Sequence, residues 1–262
     1  MGDSSVRLAT FNANSIRVRL PQILAWLQAN EIDLLGVQET KVTDEEFPEA
    51  EIRAAGYDVT YAGQKAYAGV AVISRGALED VVFGLGDAQT DVEPRTIRGS
   101  YRGIRIINTY VPQGRDIASE HFQFKLGWLA RVRALLESDY RRDEALLWMG
   151  DLNVAPEPID VYDPKALAEH VDFHPAARAA LAAVVEWGLV DVLRKHHPEA
   201  GQYTYYDFRV RNSVQRGMGW RIDHLLASPP LAERSLSAWI DTTARLAERP
   251  SDHTFLAAEF SP

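Results

Sequence analysis

Short apolar segments alternate along the chain with longer segments in which apolar residues recur at helical spacing. This spacing predicts helices over 21–29, 120–140 and 175–187, of which 120–140 is the longest. Strands are predicted at 6–11, 32–37, 69–74, 104–111, 145–149, 203–208, 221–227, 237–241 and 254–260. Buried strands interleaved with amphipathic helices predict an α/β protein whose sheets are covered by helices.

No change of composition divides the chain into parts. Glycine and proline are scattered, and low-complexity runs and internal repeats are absent, so we expect one domain over 1–262. No apolar run reaches the roughly 20 residues that span a bilayer. The first residues also lack the basic start and apolar stretch of a signal peptide. We therefore expect a cytoplasmic protein with no membrane partner.

The composition limits the available chemistry. The 262 residues contain no cysteine, which excludes disulfides, thiolate metal sites and cysteine nucleophiles. A net charge of −9 argues against an indiscriminate nucleic-acid binder. The charge is nevertheless segregated, because 94–105, 121–136 and 202–221 are net basic whereas 43–51 carries five acidic residues. Basic segments of this kind can hold phosphates.

Polar side chains stand at the ends of several predicted strands. They are Asn12 and Asn14, Glu39, Tyr110, Asp151 and Asn153, Asp223, and Asp252 with His253. Each one alone is typical of a turn or of solvated surface. Ligand sites of α/β sheets, however, gather outside the strand ends, so the repeated coincidence predicts one shared site.

The residue types in this set suit phosphodiester hydrolysis. Glu39, Asp151 and Asp252 are hard oxygen ligands, which favour Mg²⁺ over zinc. Asp223 can keep His253 protonated against an anionic substrate. A carboxylate can deprotonate the attacking water while a metal offsets the phosphoryl charge. Neutral donors that orient a phosphate complete the set: Asn12, Asn153 and Tyr110.

These motifs resemble those of the exonuclease III type of apurinic/apyrimidinic (AP) endonuclease, in the endonuclease/exonuclease/phosphatase superfamily. In chain order they are TFNANSIR (10–17), QETK (38–41), GVAVISR (69–75), NTYVPQG (108–114), GDLNVAP (150–156), TYYDFR (204–209), GWRIDHLLAS (219–228) and SDH (251–253). They follow the family's order over nearly the whole chain. The resemblance implies a four-layer α/β sandwich like that of deoxyribonuclease I, with two face-to-face mixed β-sheets flanked by helices.

The resemblance also implies a role for each matching residue. The metal would lie at Glu39, with Asp252, Asn12, Asn14, Asp151 and Asn153 at or near it. Asn14 departs from the branch of the family that has aspartate there. Asp151 would activate the water, Asn153 would orient it, and Tyr110 would contact the scissile phosphate. His253, oriented by Asp223, would bind the phosphate. Residues expected to contact the DNA are Trp220, Tyr205 and Tyr206 around the abasic sugar, and Gln113, Arg209 and Arg216. One tyrosine of the Tyr205–Tyr206 pair should be core, since strand neighbours face opposite ways.

The activity implied is a Mg²⁺-dependent DNA-repair phosphodiesterase, with Mn²⁺ as a substitute. It would act as a monomer on double-stranded DNA, cutting 5′ to abasic sites and trimming blocked 3′ ends or 3′-phosphates. One alternative is mainly a 3′-5′ exodeoxyribonuclease with little abasic activity. The 209–219 loop would decide between the two activities, because it would set how the DNA end or the nick is held. A second is a non-catalytic RNA-associated regulator, which the complete set of site residues disfavours. A third is hydrolysis of phosphoinositides, sphingomyelin or mRNA tails, which the TYYDFR and WRID segments disfavour.

Overall fold

A computed structural model describes residues 5–66, 68–86 and 91–262 of the chain. The strands are β1 (Val6–Asn12), β2 (Leu34–Gln38), β3 (Asp58–Ala62), β4 (Val70–Ser74), β5 (Glu79–Phe83), β6 (Thr96–Tyr101), β7 (Ile104–Tyr110), β8 (Leu146–Asp151), β9 (Val190–Asp191), β10 (Asp223–Ala227), β11 (Ser235–Asp241) and β12 (Phe255–Phe260). They form two six-stranded sheets in the orders β11-β12-β1-β2-β4-β3 and β5-β6-β7-β8-β10-β9. Each sheet is mixed, with parallel pairs at β1–β2 and β7–β8.

Helices cover the outer faces of the two sheets: α1 (Ile16–Ala29), α2 (Glu49–Ala54), α3 (Glu120–Asp139) and α4 (Pro175–Val185). The short helices α5 (Val192–His196) and α6 (Pro229–Glu233) pack against the core between the sheets. The apolar faces of α1 and α2 pack on the first sheet, and those of α3 and α4 pack on the second. No helix in the described ranges is long and apolar enough to cross a membrane.

The strand alternation explains the layers. Leu34 and Leu147 point into the core between the sheets, whereas their neighbours Leu35 and Trp148 pack against the outer helices. All four are fully buried, because both faces of each sheet are covered. The expected four-layer α/β sandwich with two face-to-face sheets is confirmed.

Most predicted elements are present, with shifted ends. The α1 helix begins at Ile16, before the predicted start at Pro21, which lies inside the helix. The predicted strand over 203–208 is wrong: only Tyr205 makes isolated bridges, to Trp220 and His253. The chain then turns, because the Asp207 carboxylate accepts a hydrogen bond from the backbone N–H of Arg209. The strands β3, β5, β6 and β9 and the helices α2, α5 and α6 were not predicted.

A buried polar group joins the two sheets near one end of their shared core. Asn108 on β7 accepts a hydrogen bond from Gln38 Nε2 (2.6 Å) and donates to the carbonyls of Val37 and Ala71. Gln38 also donates to Thr10 Oγ1 at 3.0 Å. A Cβ at Gly36 would lie 2.6 Å from Asn108 Oδ1, so the absence of a side chain there makes room for the amide.

We expect Asn108→Ala to lower the free energy of unfolding by about 2 to 4 kcal/mol, because it leaves several buried polar groups without partners. Urea denaturation measures this, with the exposed Gln215→Ala as the matched control, for which we expect a change within about 0.5 kcal/mol. Equal effects of the two substitutions would show that this buried group does not stabilise the contact between the sheets.

Candidate active site

The two sheets present their site residues at a shared edge. Because β1 and β2 are parallel, as are β7 and β8, Asn12, Glu39, Tyr110 and Asp151 all stand at or after carboxyl ends of strands. They meet around a cleft of about 520 Å³. The cleft is lined by Glu39, Tyr110, Gln113, Arg115, Asp151, Asn153, His170, Asp172, Tyr205, Asp207, Arg209, Trp220, Ile222, Asp252 and His253. The structure thus brings most of the predicted residues together.

Asn12 lies beneath the cleft, where it links the sheets. Its Nδ2 donates to Glu39 Oε1 (2.7 Å) on the first sheet and to Asp151 Oδ2 (2.8 Å) on the second. Its Oδ1 accepts from the backbone N–H of Asn14. The side chain is fully buried and its amide is already engaged on both sides. Asn12 therefore positions the two carboxylates.

The acidic groups fit a hard divalent cation. One ligand atom from each of Glu39, Asp151 and His253 lies within 4.8 Å of the others. Burial raises the pKa of Asp151 well above its usual range, and the nearby carboxylates of Asp223 and Glu39 raise it further, against the opposite effect of His253. A bound cation would offset this repulsion, and carboxylate oxygens are the ligands that Mg²⁺ prefers.

Lys41 supplies positive charge at the same place. Its Nζ lies 2.7 Å from Glu39 Oε2 and donates to Asn14 Oδ1 at 2.5 Å. Asn14 Nδ2 in turn donates to Asp252 Oδ1 at 2.9 Å. Lys41 belongs to the QETK motif but was not singled out as a site residue. Its ammonium therefore offsets part of the negative charge of the acidic groups.

His253 and Asp223 form the predicted pair. The imidazole Nδ1 lies 2.8 Å from Asp223 Oδ2, and Nε2 lies 3.8 Å from Asp151 Oδ2. Burial alone would lower the pKa of His253, but the charges of Asp223 and Asp151 raise it to about 10. The imidazolium therefore persists at neutral pH and can hold an anionic oxygen.

Tyr110 and Asn153 flank the acidic groups. Burial raises the pKa of the Tyr110 phenol well above its usual range, and the charges of Glu39 and Asp151 raise it further, so the phenol is a neutral donor. Asn153 is fixed by its backbone N–H to Asp151 Oδ1 (3.0 Å) and by its Nδ2 to the carbonyl of Val111 (2.9 Å). Glu39 and Asn153 both have φ of 50°, in the left-handed region, which is uncommon for a residue such as Glu39.

Aromatic rings form another wall of the cleft. Trp220 and Tyr205 exchange two backbone hydrogen bonds of 2.9 Å and both line the cleft. Tyr206 faces away, is buried beside Tyr203 and is not among the cleft-lining residues, as expected for one of two neighbouring tyrosines. The His170 ring packs on Trp220 with 4.4 Å between ring centroids. The sequence reasoning missed His170, since it lies in a loop without a recognised motif.

The basic segments are less exposed than their sequence suggests. Lys125 and Arg221, which contribute to the positive charge of the segments 121–136 and 202–221, are fully buried. Arg98 pairs with Asp139 and Arg102 pairs with Asp33. A further cleft residue, Arg115, was not predicted. Local charge counts fail here because burial depends on partners from distant segments.

Two predicted arginines lie on the 209–219 loop with different placements. Arg209 lines the cleft, where its guanidinium is exposed and pairs with Asp207 at 2.7 Å. Arg216 is exposed outside the cleft and donates to the carbonyl of Arg211. The loop therefore places one of its two predicted contacts at the site itself.

Arg221 anchors the segment that carries Trp220 and Asp223. Its guanidinium donates to Asp160 Oδ1 (2.6 Å) and Asp191 Oδ2 (2.6 Å), and its backbone N–H donates to the Asp160 carbonyl. Arg221 and Asp160 are buried and Asp191 is partly exposed, so the pairing holds the segment of Trp220 and Asp223 from inside the protein.

Comparison with known proteins gives consistent similarities. A model of the endonuclease/exonuclease/phosphatase family matches residues 9–253. Exodeoxyribonuclease III of Haemophilus influenzae is 32% identical over 97% of this chain and 100% of its own length. An AP endonuclease from Archaeoglobus fulgidus is 49% identical, with a TM-score of 0.95 over 97% of this chain and 99% of that chain. A 3′ phosphatase from Neisseria bound to a product DNA hairpin is 36% identical, with a TM-score of 0.94 over 98% and 100% of the two chains.

We expect His253→Gln to destabilise the metal-free protein most at low pH. The pKa of His253 is about 6.5 in the unfolded chain and is raised to about 10 in the folded protein. The pairing of its imidazolium therefore stabilises the fold fully below about pH 6.5. This stabilisation is lost as the pH rises through about 10. Urea denaturation in EDTA across this range measures the difference from wild type, with the exposed His121→Gln as control. A difference that does not change with pH would contradict the assignment of an imidazolium.

Proposed function

The chain belongs to the endonuclease/exonuclease/phosphatase family, in its exonuclease III-type AP endonuclease branch, and on this premise we propose that it hydrolyses the phosphodiester 5′ to abasic sites in DNA. It is a hydrolytic nuclease of a metal-dependent family. The observation that carries the proposal is the joint arrangement of Glu39, Asn12, Asp151 and His253, in which the groups for metal binding, water activation and phosphate binding adjoin.

Each group has a role in this hydrolysis. Mg²⁺, or Mn²⁺ in its place, held by Glu39 with Asp151 and the Asn14–Asp252 pair beside it, would offset charge on the phosphoryl oxygens. Asp151 accepts a proton from the attacking water, which Asn153 orients. The water oxygen bonds to phosphorus while the bond to the 3′ oxygen breaks. That oxygen takes up a proton, leaving a 3′-hydroxyl. His253 and Tyr110 would donate hydrogen bonds to the non-bridging oxygens.

The aromatic wall supports selection of an abasic nucleotide. Trp220 and Tyr205 line the same cleft as the acidic groups, where an extruded bare sugar would pack, and extruding a nucleotide without a base costs less than extruding a normal one. Gln113 and Arg209 line the same cleft and would contact the DNA around the nick, with Arg216 further out on the 209–219 loop. Because one chain supplies every group, we propose that a monomer, with 1–262 as one catalytic domain, suffices on double-stranded DNA.

His170 favours a second candidate function, in which the enzyme trims blocked 3′ ends or 3′-phosphates. Its ring covers part of Trp220, the surface on which an extrahelical sugar would pack. A chain end reaches the catalytic groups without entering that space. The Neisseria relative, a 3′ phosphatase bound to a product DNA hairpin, supports this activity for a site of the same fold.

The deciding assay uses an end-labelled duplex with one central tetrahydrofuran abasic analogue, with Mg²⁺ or with EDTA, beside an undamaged duplex. We expect a Mg²⁺-dependent cut 5′ to the analogue, and since tetrahydrofuran cannot undergo β-elimination, that cut is hydrolytic. Asp151→Asn should lower turnover by at least about 10⁴-fold and leave DNA binding intact, because it removes the base but little of the phosphate contact. Wild-type turnover by Asp151→Asn would refute its role. Shortening from the 3′ end of both duplexes without the internal cut would assign mainly exonuclease activity.

We expect two substitutions at the aromatic wall to act in opposite directions. Trp220→Ala should reduce cleavage at the abasic analogue more than removal of a 3′-phosphate, by about 10-fold in the ratio of kcat/KM values. His170→Ala should shift the same ratio toward abasic cleavage, because it frees the indole face. Equal losses of both activities in both variants would show that these rings serve only packing.

A further inference from the structure

Lys125 on α3 has a fully buried ammonium group directly behind the cleft wall. Its Nζ donates to the carbonyl oxygens of Gln113 (3.1 Å), Asn153 (2.5 Å) and Val171 (3.3 Å) and to Asp172 Oδ1 (3.0 Å). Taking a lysine charge out of water is costly unless it is paired and hydrogen-bonded. The four acceptors supply this compensation.

The acceptors lie on three segments that are far apart in sequence. Gln113 follows β7, Asn153 follows β8, and Val171 and Asp172 belong to the stretch that leads to α4. Each segment contributes a side chain to the lining of the cleft. One ammonium therefore joins the backbones that carry the cleft wall.

Asp172 extends this connection to the open side of the cleft. Its carboxylate accepts from Gln113 Nε2 at 3.2 Å and lies 3.7 Å from His170 Nδ1. A carboxylate at this wall would repel a phosphate chain, and the adjacent ammonium offsets that charge. Lys125 thus influences both the placement and the charge of the wall without touching the cleft itself.

We propose that Lys125 is a positioning residue of the nuclease site, whose ammonium sets the placement of the Gln113, Asn153 and Asp172 segments. The inference rests on the proposed function, since it assigns Lys125 to the same reaction. Catalysis by oriented groups is sensitive to placement, and a displacement of about 1 Å can lower the rate about 100-fold. Removing the Lys125 contacts that hold the three segments together (the Lys125 tether) should therefore lower kcat more than it changes KM.

The test compares Asp172→Asn with the double variant Lys125→Met/Asp172→Asn. The double variant removes both members of the buried pair, so it leaves neither charge unpaired and should fold with a Tm within about 4 °C of Asp172→Asn. We expect its kcat to be at least about 10-fold below that of Asp172→Asn, with KM for DNA within about 3-fold. The control is Lys195→Met, in which an exposed lysine on α5 loses its contacts to Ala232 and Ser235 away from the cleft, and for which we expect an unchanged kcat. A kcat within about 3-fold of Asp172→Asn would overturn the proposal.

Amide hydrogen exchange separates this inference from the proposed function. In the double variant we expect faster exchange in 111–116, 152–156 and 168–174, relative to Asp172→Asn, and unchanged exchange in the strands. If the wild-type protein cleaves no DNA substrate, the proposed function fails, and faster exchange confined to these segments still supports the tether. Unchanged exchange there would overturn the role of Lys125, whatever the activity.

Discussion

The active site is organised around the close approach of acidic side chains at the edge where the two sheets meet. Asp151 and Asp223 stand directly opposite each other in the antiparallel pair β8–β10, an arrangement that destabilises a sheet when both are charged. Glu39 approaches from the other sheet and shares the Asn12 amide with Asp151. Positive charge must offset this repulsion, and His253 supplies part of it from between the two aspartates. Because the remaining repulsion between these carboxylates also favours bound positive charge, the edge where they meet suits a divalent cation.

The loops around these acids are held from behind by buried cations. Lys125 binds the segments after β7 and β8, and Arg221 binds Asp160 and Asp191 beside the aromatic wall. Breaking a buried pair on one side only leaves an uncompensated charge, so such contacts resist rearrangement. The cleft is therefore pre-organised by charges that a bound DNA strand would not reach, while the charges that meet the substrate remain at its surface.

That the acidic side chains lie close together could be predicted from the sequence, because each one stands at the end of an apolar strand. Apolar strands ending in Asn12, Glu39, Tyr110 or Asp151 imply a shared edge once the strands are parallel. The burial of Lys125 could not be predicted in this way, since its ion-pair partner Asp172 lies 47 positions along the chain. The strand β5 could not be predicted from the pattern of apolar positions either. All its residues are exposed, so it shows no alternation of apolar and polar positions.

Catalysis and substrate selection depend on different kinds of structure in this molecule. The hydrolytic groups stand at the ends of regular strands, where the hydrogen-bonded ladders fix them. The wall of Trp220, Tyr205 and His170 lies on irregular segments joined by isolated bridges. Loops of this kind tolerate change more readily than strands do. Under the proposed function, a substitution that covers or uncovers the indole would therefore shift the preference between an extruded sugar and a chain end without changing the groups that act at phosphorus.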